Sequence, residues 1–185
     1  MQRYVPIAIL LGLLTTHRGA ALTLEELRAE PHLTPKLFAK HFREFKYEYH
    51  EDVQEPEIFL LTQAGDCDDY AVLADSILRP RGYATRLVFI RMPGLISHVV
   101  CYVSQDKAYL DYNNRIYPIR LERSGPGLRD IATRVAQSFG ANWTSATEFI
   151  YLGNNLKRFG ETVAKTDPPA GTAPERKSPP IRIDF

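Results

Sequence analysis

The 185-residue sequence predicts an α+β domain in which helices pack against one antiparallel β-sheet. Three observations carry that prediction. Apolar residues recur at helical spacing within Cys67–Leu78, at Tyr70, Leu73, Ala74, Ile77 and Leu78. Runs rich in β-branched residues then follow from Ala84, separated by turn-forming pairs. The length suits one core and leaves little room for a second.

The first element to justify is the N-terminal run. Arg3 precedes Val5–Leu14, which is apolar apart from Pro6 and Gly12, and His17, Arg18 and Gly19-Ala20-Ala21 follow. This is the layout of a secretory signal peptide, 1–21, and the run is too short to span a bilayer. A buried N-terminal helix is the plainer alternative, but the run is unbroken rather than striped. Export to the periplasm or outside the cell is therefore the expectation. Loss of Arg3 and Arg18, with no acid, would change the formal charge from +1 to −1. Neither value, nor any Lys/Arg stripe, supplies an electrostatic footprint for nucleic acid.

A domain over 22–160 follows. Thr23 and Glu26 form a capping box for a helix Leu24–Ala29. Thr34-Pro35 starts another, running to about Phe45. Its apolar stripe includes His41, which reads as a core-edge residue. Phe45, Tyr47 and Tyr49 alternate with polar residues and predict a short extended segment. Pro56 opens a turn or helix through Leu61, closed by Gly65. Asp66 caps the helix that begins at Cys67, and Pro80 with Gly82 stops it. Strands are expected at Ala84–Arg91, Ile96–Val103 and Ala108–Tyr112, with a fourth over Ile116–Arg120. Leu128–Phe139 reads as a helix and Thr147–Leu152 as a last strand. From Glu161 the composition turns to Pro, Lys, Thr and Ser, so 161–185 reads as a Pro-rich flexible tail.

Chemistry concentrates at Gly65-Asp66-Cys67-Asp68-Asp69-Tyr70-Ala71. A cysteine in the first turn of a helix meets unpaired N–H groups, which favour a thiolate and help hold an oxyanion. His98 is the histidine that sits mid-strand, as a nearby base should. Asp111, on the next strand, would orient the imidazole. With Gln105-Asp106 as a two-residue loop, Val100 faces Asp111 and His98 is its diagonal neighbour on the same face; with Ser104-Gln105 as the loop, His98 faces Asp111 directly, and an odd-length loop would send Asp111 to the opposite face. Cys101, three residues past His98, should then point away from Cys67, making a Cys67–Cys101 disulfide and a Cys67–His98 pair nearly exclusive. Zinc at Cys67, Cys101 and His98 lacks CxxC or HxxxH spacing.

The Cys block, with Ser97-His98-Val99 and Tyr109-Leu110-Asp111, resembles the transglutaminase-like superfamily. It is most similar to the bacterial transglutaminase-like cysteine proteinases, whose block reads Gly-Asp-Cys-Glu-Asp-Tyr-Ala. The likeness runs from about Phe45 to Leu152 by element order. It implies a papain/transglutaminase-like fold, with the nucleophile helix packed on the antiparallel sheet. It further implies a cysteine peptidase or amidase acting on protein or peptide through a thioester, with Cys67 as nucleophile, His98 as base and Asp111 as orienting group. Release to an amine would make it a transglutaminase, and a non-catalytic binding module is the third class. Gln63 is the candidate oxyanion donor. No cofactor is required, but the proteinases' calcium site would map to Asp66 and Asp68. Asp68 stands where that family often carries the longer Glu.

Overall fold

The computed structural model describes residues 22–95, 97–113 and 120–165. The expected signal segment 1–21, Ile96, most of the expected strand Ile116–Arg120 and the tail 166–185 lie outside the described residues.

Thr23 and Glu26 do close a capping box, starting α1, Leu24–Ala29. Thr34 caps α2, Pro35–His41, which ends before Phe45 because Phe42 leaves helical geometry as its C-cap. Phe45 still joins the aromatic cluster, its ring 4.8 Å from that of Phe42 and 5.4 Å from that of Phe59. At the helix edge, His41 pairs with Glu30 at 2.7 Å.

Next comes a compact entry to the central helix. β1, Lys46–Tyr47, lies parallel to β2, Ala64–Gly65, after α3, Pro56–Thr62. α4, Cys67–Leu78, then runs through the core with Tyr70, Leu73, Ala74, Ile77 and Leu78 buried. A short turn at Arg79–Arg81 ends on Gly82, whose φ of 85° suits glycine.

The rest builds a six-stranded antiparallel sheet: β3, Thr85–Arg91; β4, His98–Val103; β5, Ala108–Asp111; β6, Arg120–Arg123; β7, Ser145–Tyr151; and β8, Lys157–Ala164. Their order is β6-β5-β4-β3-β7-β8, and α5, Leu128–Ser138, connects β6 to β7. Both faces are covered. Leu87, Phe89, Val99, Cys101, Val103 and Leu110 share a core with α4, whereas Val88, Ile90, Val100, Tyr102 and Tyr109 share one with α5. Strand periodicity sorts them, since alternate residues project to opposite faces. This burial on both faces explains why β3 and β4 read as nearly continuous apolar runs.

β8 corrects the domain boundary. The expected tail starts at 161, yet β8 continues to Ala164 and pairs with β7 through Ser145–Ala164. As an edge strand with mostly exposed side chains, it lacks the apolar alternation by which strands are read.

Gly65 is fixed by space. A Cβ there would lie 2.6 Å from both Asp69 Oδ2 and the Phe59 ring. Gly65→Ala is expected to lower unfolding stability by about 1–3 kcal/mol, measured by denaturant titration; an unchanged midpoint would contradict this account.

Candidate active site

α4 begins in the interior, so its first N–H groups need protein acceptors rather than water. Asp66 and Asp69 provide them. Asp68 N–H donates to Asp66 Oδ1 at 3.2 Å, and Asp66 N–H donates to Asp69 Oδ2 at 2.9 Å. The 48–55 loop is tied to the same acids. His50 N–H donates to Asp66 Oδ2 at 3.0 Å, while Gln54 donates through its backbone N–H and Nε2 to Asp69 at 2.6 and 2.8 Å.

Cys67, 7% exposed, follows this cap. The Val99 N–H is directed at its sulfur and favours the thiolate. Strand geometry shows where that sulfur lies. Ser104 N–H bonds Ala84 on the β3 side, so the amides of alternate residues, including Val99, point toward β5. The regular β4–β5 pairing stops at Cys101–Leu110. The Val99 amide therefore points past the paired part of β5, and the thiol takes it at the level of the sheet edge.

His98 and Asp111 meet directly, with Nε2 2.7 Å from Asp111 Oδ1 and both side chains about 95% buried. A carboxylate only accepts, so Nε2 carries the proton and, in a neutral ring, Nδ1 keeps the lone pair. Asn113 Nδ2 donates to Asp111 Oδ2 at 3.0 Å, and the His98 ring packs 4.8 Å from that of Phe139 at the end of α5. The register Val103–Ala108, Tyr102–Tyr109, Cys101–Leu110 is the one expected for a Gln105-Asp106 loop.

One parity expectation is overturned. Cys101 does not turn away from the helix of Cys67; it packs in the α4 core, and the side chain on the opposite sheet face is His98. Cys67 meets the His98 end of β4 through the backbone amide of Val99, the residue after His98. Both cysteines are free. Asp75 and Arg79 act on Cys101, and Cys101 acts on Tyr70, so its thiol lies beside the body of α4.

Gln63, the expected oxyanion donor, is exposed in a left-handed conformation as the C-cap of α3, and its backbone O accepts from Lys46. Its side-chain amide makes no hydrogen bond among the described residues, while its backbone N–H donates to Phe59 O. Gln54 is the glutamine built into the centre. The loop sequence gave no signal for it, because its partners lie 10 and 15 residues on, at Ala64 and Asp69. Tyr47 was also missed. Burial raises the hydroxyl of this half-buried tyrosine, and Cys67, Asp66, Asp68 and Asp111 act in the same direction, so it stands beside the centre.

Burial pushes the Cys67 thiol well above its ordinary pKa; Asp68 and Asp66 add to this, and the Val99 amide opposes it. A helix terminus contributes up to about 2 kcal/mol, whereas full burial can shift a group by about 3–5 pKa units. Desolvation wins, and the resting thiol keeps its proton. Burial likewise raises Asp66, to about 8, with Asp68 contributing.

Asp66, Asp68 and Asp69 bring carboxylate oxygens within 4.8 Å of one another. Both oxygens of Asp66 and of Asp69 already accept N–H groups. Asp68 Oδ2 takes the Lys157 ammonium at 3.2 Å, leaving Asp68 Oδ1 buried without a partner. Calcium takes about six to eight oxygens, so this donor set fits it poorly.

No protein-family model and no curated protein matches this chain. No helix among the described residues is long and apolar enough to cross a membrane.

The raised Asp66 carboxyl makes stability pH-dependent. Folded protein holds a proton that the unfolded chain loses near pH 4. The contribution is complete below that value and is lost as pH rises through about 8. Stability should fall by up to about 1.4 kcal/mol per pH unit in this window. Asp66→Asn should remove that slope in denaturant titrations across pH, whatever its absolute stability; an unchanged slope would refute the assignment.

Proposed function

We propose that this chain is a cysteine-dependent acyl-transfer enzyme of transglutaminase-like type, hydrolysing peptide or amide bonds through a thioester. The observation that carries this reading is the buried His98–Asp111 pair, beside the Val99 amide that is aimed at Cys67.

In this mechanism Asp111 holds the Nε2–H tautomer, so His98 Nδ1 is the base. Sγ of Cys67 attacks the carbonyl carbon as its proton passes to Nδ1. A proton that moves with the attack suits a thiol neutral at rest, because no lone buried thiolate has to persist. The Cys67 N–H, first in α4, has no partner among the described residues and would serve the oxyanion, while Asp66 and Asp69 take neighbouring amides. Nδ1 then protonates the leaving amine. Water attacks the thioester, His98 takes its proton, and the thiol is released. An amine in place of water would make the same centre a transglutaminase. No metal has a step in this scheme.

A second reading, a non-catalytic binding module, is favoured by the burial of Cys67. Cleavage of fluorescent casein and labelling by iodoacetamide separate the two. Cys67→Ala should abolish cleavage, and Asp111→Asn should reduce kcat by about 10²–10⁴. Full function after Cys67 is alkylated would leave only the binding module. Incorporation of dansylcadaverine into casein would mark the transglutaminase branch.

Export rests on the sequence of the first 21 residues. N-terminal sequencing of protein recovered outside the cytoplasm should begin after Ala21; an intact Met1 there would overturn it.

A further inference from the structure

We propose that Lys157 is the built-in counter-cation of the acid cluster around Cys67, so that this centre works without a divalent metal. Its importance for thiol reactivity rests on the cysteine-enzyme reading; its pairing with the acids does not.

Three carboxyl side chains gather at the start of α4, and two flank the nucleophile in sequence. Cations neutralise such clusters, either as bound ions or as side chains. Lys157 Nζ lies 3.2 Å from Asp68 Oδ2, with the side chains of Lys157 and Asp68 10% and 13% exposed. A charge pair this enclosed is weakly screened, unlike a surface bridge.

The lysine comes from 89 residues away, and its position is built. It opens β8 opposite Tyr151, and its ammonium sits 6.0 Å over the Phe149 ring. The β7–β8 turn is tied to the same loop as the acids, since Val53 N–H donates to Asn155 Oδ1 at 2.8 Å. Gln54, the next residue, binds Asp69. One loop thus registers the acids and the cation against each other. With the oxygens of Asp66 and Asp69 already accepting hydrogen bonds and one Asp68 oxygen held by Lys157, the cluster offers little to a metal.

The test compares wild type, Lys157→Met, Lys157→Arg and the uncharged pair Asp68→Asn/Lys157→Met. Each is measured for the rate of Cys67 alkylation by iodoacetamide and for Tm, in EDTA and in millimolar CaCl2. Wild type should give the same rate and Tm in both. Lys157→Met should react at least tenfold more slowly. Lys157→Arg should stay within about threefold of wild type, and the uncharged pair should recover most of the loss. A wild-type Tm raised by calcium, or a Lys157→Met rate equal to wild type, would overturn the proposal. Should Lys157→Met fail to fold by circular dichroism, the uncharged pair decides: a rate at least tenfold below wild type, with native Tm, sinks the charge argument. Loss of casein cleavage activity from the wild type, with this pattern intact, would refute the enzyme reading and leave the counter-cation standing.

Discussion

The capping of α4 by buried carboxyls is the constraint on which the centre depends. A helix that starts inside a core exposes N–H groups that water cannot reach, and each one left unpaired costs about 1–3 kcal/mol. Asp66 and Asp69 accept them and also accept from His50 and Gln54, which fixes the 48–55 loop. Gly65 lets the chain pass close enough for Asp69 to reach back. The cap that starts the helix therefore also shapes the wall around the thiol.

That arrangement has an electrostatic consequence. Acids suited to a helix start lie beside a thiol that they make harder to ionise, and burial acts in the same direction. The opposing influence is local, the Val99 amide at the sulfur, while the Lys157 ammonium pairs with Asp68. The early end of β4–β5 pairing matters for the same reason, because a longer β5 would claim the Val99 amide for the sheet ladder. An unfinished ladder and the seat of the Cys67 thiol are here one feature.

Much of this was legible in the sequence where the relevant contacts are short in range. Thr23, Thr34-Pro35 and Asp66 mark helix starts through hydrogen bonds to residues two or three positions away. The loop at Gln105-Asp106 sets the β4–β5 register, and with it the pairing of His98 with Asp111. The misses have equally physical causes. β8 is an exposed edge strand, held by backbone bonds that leave little trace in side-chain pattern. α2 stops at His41 although its aromatic stripe continues, because Phe45 joins the same core from the segment beyond the helix.

By itself, the sequence determined the α+β character, the helix that begins at Cys67 and the strand positions of His98 and Asp111, since periodicity, caps and turn lengths are local properties. Only the tertiary structure decided that Cys101 shares a core with α4 and that His98 lies on the other face. It also placed Gln54 rather than Gln63 among the buried acids and brought Lys157 to Asp68. These depend on where the ladder between two strands ends and on contacts across as many as 102 residues, which no local pattern encodes.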